Sequence, residues 1–125
     1  METIMSTTPK GGVGNTIAQK KSPSARIRAL NDAFRQEPKA SNVYLSLEIA
    51  RLGETKLKEL FAKLKAYSSF TIKTDPEGDH SSGVLELGQS KIEWEIDYWD
   101  LDEEDDSPDP SNAEVTTRIM NMVMV

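Results

Sequence analysis

The sequence predicts an α+β fold: a single domain in which an antiparallel three- to four-stranded sheet carries helices packed on one face. Three observations predict it. Apolar residues recur at helical spacing in the first half of the chain, they alternate with polar ones from Phe70 to Trp99, and Gly88, Gln89 and Ser90 make a tight turn between two alternating runs. The 125 residues suit one domain with a real core. That domain spans residues 22–125, and residues 1–21 form a flexible arm rich in Gly, Lys, Ser and Thr.

The first helix lies in "SPSARIRALNDAFRQE". Ser22 caps it, Pro23 takes the first helical position, Ile27, Leu30 and Phe34 form its apolar stripe beside Ala33, and Pro38 stops it. Arg26, Arg28 and Arg35 fall largely outside that stripe. "NVYLSLEIARLG" suits either a strand or a helix, and we read a short strand at Val43 to Ser46 followed by a turn or short helix that Gly53 closes. "ETKLKELFAKLKAYS" is the clearest helix: Leu57, Leu60, Phe61, Leu64 and Tyr67 share one stripe, and Lys56, Lys58, Lys63 and Lys65 populate the solvated remainder.

Three strands follow, in "FTIKT" (Phe70, Ile72), "GVLEL" (Leu85, Leu87) and "KIEWEIDYW" (Ile92, Trp94, Ile96, Tyr98). Parity buries Trp94 and Tyr98 with the isoleucines and leaves Glu86, Glu93, Glu95, Asp97 and an exposed Trp99 on the opposite face. That face continues into "DLDEEDDSPDPSN", which holds seven acids between Asp100 and Asp109 and two prolines that forbid regular structure. Beyond Pro110, a last helix carries Val115, Ile119, Met122 and Val123 on one stripe. Arg118 on this helix is expected to pair with an aspartate of the acidic loop or of the helix before it, as an ion pair of small net value.

Composition narrows the function. There is no run of 18 apolar residues to span a membrane and no apolar leader of the secretory type. With no cysteine, disulfides, thiolate zinc sites and thiol nucleophiles are excluded, and a cytoplasmic location follows from the missing leader. The net charge of −6 conceals a division: residues 1–74 carry 13 Lys/Arg and 6 Asp/Glu, a balance of +7, whereas residues 75–125 carry 2 and 15, a balance of −13. The two halves pair with each other, or the acidic half presents a negative surface to a partner, or both.

Near the start, "PKGGVGNTIAQ" differs by one letter from a phosphate-binding loop of the partition-ATPase type. The lysine that neutralises the terminal phosphates is replaced by Asn15, although Lys10 occupies the upstream lysine position. No hydrophobic strand precedes the loop, and the chain is short for a nucleotide-binding α/β domain. Neither a nucleotide nor any other cofactor is therefore expected.

Four blocks carry a family resemblance: "RIRALNDAFR" (Arg26 to Arg35), "DPEGDHSSG" (Asp75 to Gly83), "IEWEIDYWD" (Ile92 to Asp100) and "SPDPSNAEVTTRIM" (Ser107 to Met120). In order and spacing, over roughly residues 24–122, they resemble an uncharacterised bacterial family, domain of unknown function 3768. The resemblance implies a small proteobacterial protein, often from plasmids or other mobile elements, with no assigned activity. The "DEEDD" run is more acidic than the family pattern.

Two functional readings follow. The first is a non-enzymatic interaction protein whose acidic surface comprises Glu93, Glu95, Asp97, Trp99, Asp100, Asp102, Glu103, Glu104, Asp105 and Asp106. Such a surface imitates the closely spaced phosphates of nucleic acid and engages a basic, nucleic-acid-binding protein partner. Joined to the mobile-element context, it suggests an inhibitor of a host defence protein, of the anti-CRISPR or anti-restriction kind. Direct nucleic-acid binding is not expected, since the net charge opposes it and no aromatic-interleaved basic stretch is present. The alternative is a small metal-dependent hydrolase or nuclease using Asp75, Asp79, His80, Asp97 and Asp100, because carboxylates plus an imidazole can hold a metal that activates water. Against it, "TDPEGDH" suits an ordinary turn, and His80, the only histidine, suits packing against a tyrosine.

Overall fold

A computed structural model describes residues 22–125. The arm of residues 1–21, with its glycine-rich loop, lies outside the described residues. Helix α1 runs Pro23–Gln36, with the Ser22 hydroxyl accepting from the Ala25 N–H at 3.1 Å, as the capping pattern predicts. Strand β1 (Val43–Leu45) leads into the single-turn helix α2 (Leu47–Ala50), and α3 spans Glu54–Ala66. Strands β2 (Ser82–Leu87), β3 (Ser90–Trp99) and β4 (Thr117–Met124) complete the α+β domain.

The four strands lie in the order β1-β4-β3-β2, mostly antiparallel, with β1 parallel to β4. Leu87 pairs with Ser90, so Gly88 and Gln89 form a two-residue hairpin turn, and Gly88 sits at φ 62° where other residues are disfavoured. The core forms between this sheet and the helices. Trp94, Ile92, Ile96, Leu85 and Leu87 meet Leu60, Leu64, Ile49, Met120 and Met122 there. Trp94 is fully buried, in edge-to-face contact with Tyr67 at 5.5 Å and Phe70 at 6.2 Å.

Four expectations are corrected. The "FTIKT" segment is a turn, not a strand. The Thr71 N–H donates to Thr74 Oγ1, the Thr74 N–H donates back to Thr71 Oγ1, and the Asp75 N–H donates to the Thr71 carbonyl. Threonine side chains here satisfy the backbone groups a strand would pair, and Ile72 stays 88% exposed. The segment after Pro110 is not a helix: one 3₁₀ turn (Ala113–Val115) precedes β4. Strand neighbours on both sides favour the extended chain there, with Arg118, Met120 and Met122 directed to the core face. Third, the most buried residues of α1 are not its apolar stripe but Asn31 and Arg35, whereas Ile27, Leu30 and Phe34 are half-buried. Finally, Trp99 does lie on the outward face, but it is half-buried rather than exposed.

Candidate interaction surface

Parity along β3 places Glu93, Glu95 and Asp97 on the sheet face opposite Trp94 and Ile96. The helices cover the core face, so all three acids project from the other. Neighbours across the ladders complete that surface: Val84 beside Glu93, Ser82 beside Glu95, Asn121 on the far side of Glu95, and Tyr44 beyond Asn121. Tyr44, Val84 and Val123 are 53%, 47% and 44% exposed, giving the carboxylate row an apolar frame. The Asn121 amide donates to Asp97 Oδ2 at 2.8 Å and fixes that carboxylate. Burial, followed by the charges of Asp97 and Glu93, raises the Glu95 carboxyl above its ordinary range.

The acidic loop adjoins this surface at Asp106, which lines one cavity with Glu95 and Asp97, and it is internally braced. The Asp100 N–H donates to the Asp105 carbonyl at 2.8 Å, the Glu103 N–H to the Asp100 carbonyl, and the Glu104 N–H to Asp100 Oδ1. A bridge between Trp99 and Asp106 ties the end of the loop back to β3. Asp100 therefore serves as a brace, while Asp102, Glu103, Glu104, Asp105 and Asp106 are exposed. Leu101, 62% exposed, adds an apolar side chain among them. Glu103 holds a left-handed φ of 58°.

The five residues of the hydrolase alternative do not assemble. His80 and Asp75 do meet: His80 Nε2 lies 3.7 Å from Asp75 Oδ2, and the His80 N–H points at the same carboxylate. The Asp79 carbonyl accepts from Asn31, and burial first, then the Asp75 and Glu77 charges, raises the Asp79 carboxyl despite a hydrogen bond from Ser81. Asp97 stands on the opposite sheet face and Asp100 braces the loop. Among the described residues no group of three His, Cys, Asp or Glu side chains is placed to hold a metal ion.

His80 packs against Phe70 rather than a tyrosine. Its Nδ1 lies 2.8 Å from Asp32 Oδ1, so both ring nitrogens face carboxylates, an arrangement that clamps the Phe70 to Ser81 segment onto α1. Asp32 also accepts from Arg35 at 2.7 Å. Burial acts to raise the Asp32 carboxyl, but Arg35 and His80 together outweigh it and hold the group below its ordinary range. Sequence reasoning passed over Asn31, Asp32 and Arg35, because a buried polar face of a helix uses the same residue types as a solvated one.

Arg118 likewise departs from expectation. No carboxylate among the described residues pairs with it: Nε donates to Asn31 Oδ1 at 2.7 Å, Nη2 to the Pro110 carbonyl at 2.6 Å, and the guanidinium lies over the Tyr98 ring.

The model of the family described as "Protein of unknown function (DUF3768)" matches residues 45–125. No curated protein and no solved structure matches the chain. Among the described residues, no helix is long and apolar enough to cross a membrane.

Proposed function

We propose that this chain, which belongs to the DUF3768 family, is a non-enzymatic interaction protein that uses the open face of β3 and the Asp100 to Asp106 loop to bind a basic protein partner. One observation carries the reading: Glu93, Glu95 and Asp97 project side by side from a sheet face on which no described helix lies, where burial first, and then the charges of Asp97 and Glu93, raise the Glu95 carboxyl. Such crowding gives the fold nothing. A partner that brings cations to the row relieves it, so the unfavourable term becomes binding energy.

The finer reading is imitation of nucleic acid. Carboxylates on alternate residues of a strand recur every ~6.7 Å, close to twice the ~3.4 Å rise per phosphate of one DNA strand. The row is thus a dense line of negative charge on the length scale of a nucleic-acid backbone. The apolar frame of Tyr44 and Val84 suits the aliphatic stems of arginine and lysine while the carboxylates take their charges. A nucleic-acid-binding protein, including a defence nuclease that the row would inhibit, is the partner class this geometry fits, and the site is the cytoplasm.

The test is capture of a basic partner from nuclease-treated bacterial extract across a salt series, with the unaltered chain and two variants. One variant carries Glu93→Gln, Glu95→Gln and Asp97→Asn; the other neutralises Asp102, Glu103, Glu104, Asp105 and Asp106. Capture should fall steeply with salt, be displaced by competing duplex DNA, and be lost in both variants. Capture indifferent to salt and to both variants would falsify the reading.

A further inference from the structure

Arg118 is only 7% exposed, yet it has no carboxylate partner among the described residues. A buried cation without a counter-ion is unfavourable unless something compensates it. Two of its donors are spent on Asn31 and Pro110, both neutral acceptors, while Nη1 has no acceptor among the described residues. Nη1 is not sealed off either, since among the described residues the one enclosed polar side-chain atom left without a partner is Trp94 Nε1. Arg118 lines a cavity of about 400 Å³ between α1 and the start of β4. Leu30 and Phe34 form its apolar wall, Lys39 brings a second cation, and Glu103 contributes the opposing charge. The balance of charged groups lining it is thus one positive.

We propose that this cavity binds a small organic oxyanion, a carboxylate or phosphate on an apolar body, with the Arg118 guanidinium as its anchor. The planar fork matches either head group, and Leu30 and Phe34 receive the body. The volume lies in the range of small-ligand sites. This site is separate from the acidic row on β3, and its charge preference is the opposite.

Titration of the full chain with benzoate, phenyl phosphate and the neutral benzamide, followed by backbone amide NMR, tests the proposal. Benzoate or phenyl phosphate should bind saturably and shift amides of Leu30, Phe34 and Arg118, with the better of the two identifying the head group, and benzamide should not. Arg118→Lys should weaken binding by roughly ten- to a hundredfold, as expected for loss of a charge-assisted fork. Lys39→Ala, at an exposed position, should weaken it by up to about fivefold, and Glu103→Gln should tighten it by a similar factor. Glu95→Gln should leave it unchanged. If Arg118→Lys does not fold, the Lys39 and Glu103 variants decide. Absence of saturable binding by both anions, equal binding of benzamide, or indifference to the Lys39 and Glu103 changes overturns the proposal. Failure of partner capture leaves this result untouched, because oxyanion binding is read on the chain alone, without a partner.

Discussion

The imidazole of His80 lies parallel to the ring of Phe70, with centroids 3.7 Å apart and planes 4° from coplanar. Arg35 also lies against this ring, its guanidinium 5.4 Å from the centroid. Through this stack and the Asp32 contact, α1 is joined to the segment that leads into β2. Phe70→Ala removes the shared member, and unfolding in denaturant should show a loss of about 2–4 kcal/mol, at or below the range for a fully buried aromatic. A loss within experimental error would show that the segment is held by its backbone alone.

Asp32 and Asp79 should respond to pH with opposite signs. The Asp32 carboxyl is held low, so its contribution is present above its ordinary value near pH ~4 and lost as pH falls through the depressed one. The Asp79 carboxyl is raised, so its ionised form opposes folding, and that penalty disappears as pH falls through its raised value. At pH 7, Asp32→Asn should lower the thermal midpoint and Asp79→Asn should raise it. The Asp79 difference should shrink towards zero near pH 3, and the Asp32 difference only as pH falls through its depressed value. Differences that persist unchanged at low pH would assign the effects to hydrogen bonding rather than charge.

Gly83 is required for closeness rather than for backbone freedom. A Cβ there would lie 2.6 Å from the Tyr67 ring and 2.8 Å from Nε1 of the fully buried Trp94. Gly83→Ala should lower stability by about 1–3 kcal/mol through overpacking. Denaturation combined with the near-ultraviolet signal of the aromatic cluster measures it. An unchanged midpoint would mean that Tyr67 swings aside freely.

The sequence was most legible where one face of an element meets water. β3 shows strict alternation because Trp94 and Ile96 go inward while Glu93 and Glu95 go out, and the acidic row could be named residue by residue for the same reason. β4 was illegible because it runs between two strands: Arg118, Ile119 and Met120 are buried in succession, which erases the period of two and leaves an accidental helical spacing. The Asn31 contacts were out of reach for another cause. They join α1 to Tyr98 and to Arg118 across 67 and 87 residues, and no local pattern encodes a partner that distant.

The two tryptophans should separate cleanly. Trp94 is fully enclosed by Tyr67, Phe70 and the sheet, whereas Trp99 lies half-buried on the outward face beside the acidic loop. Trp94→Ala should lower stability by about 3–5 kcal/mol and Trp99→Ala by clearly less. Iodide or acrylamide should quench the emission of the Trp94→Ala variant and leave that of Trp99→Ala nearly intact. Equal losses of stability would place β3 one residue out of register and turn the acidic row inward.

Glu95 offers the most direct link between stability and the proposed function. Burial raises its carboxyl, and the neighbouring charges of Asp97 and Glu93 raise it further. A carboxyl raised in the folded state subtracts stability once it ionises, and the penalty is relieved as pH falls through its folded value. Glu95→Gln keeps the shape of the side chain and removes the charge, so it should raise the thermal midpoint at pH 7 and change nothing near pH 3. The same substitution should weaken capture of a basic partner, because the removed repulsion is what a cation on that face would have neutralised. Stability and capture should therefore move in opposite directions in one variant. A surface that serves only solubility would show the first change without the second, and measuring both on the same purified protein separates the two cases.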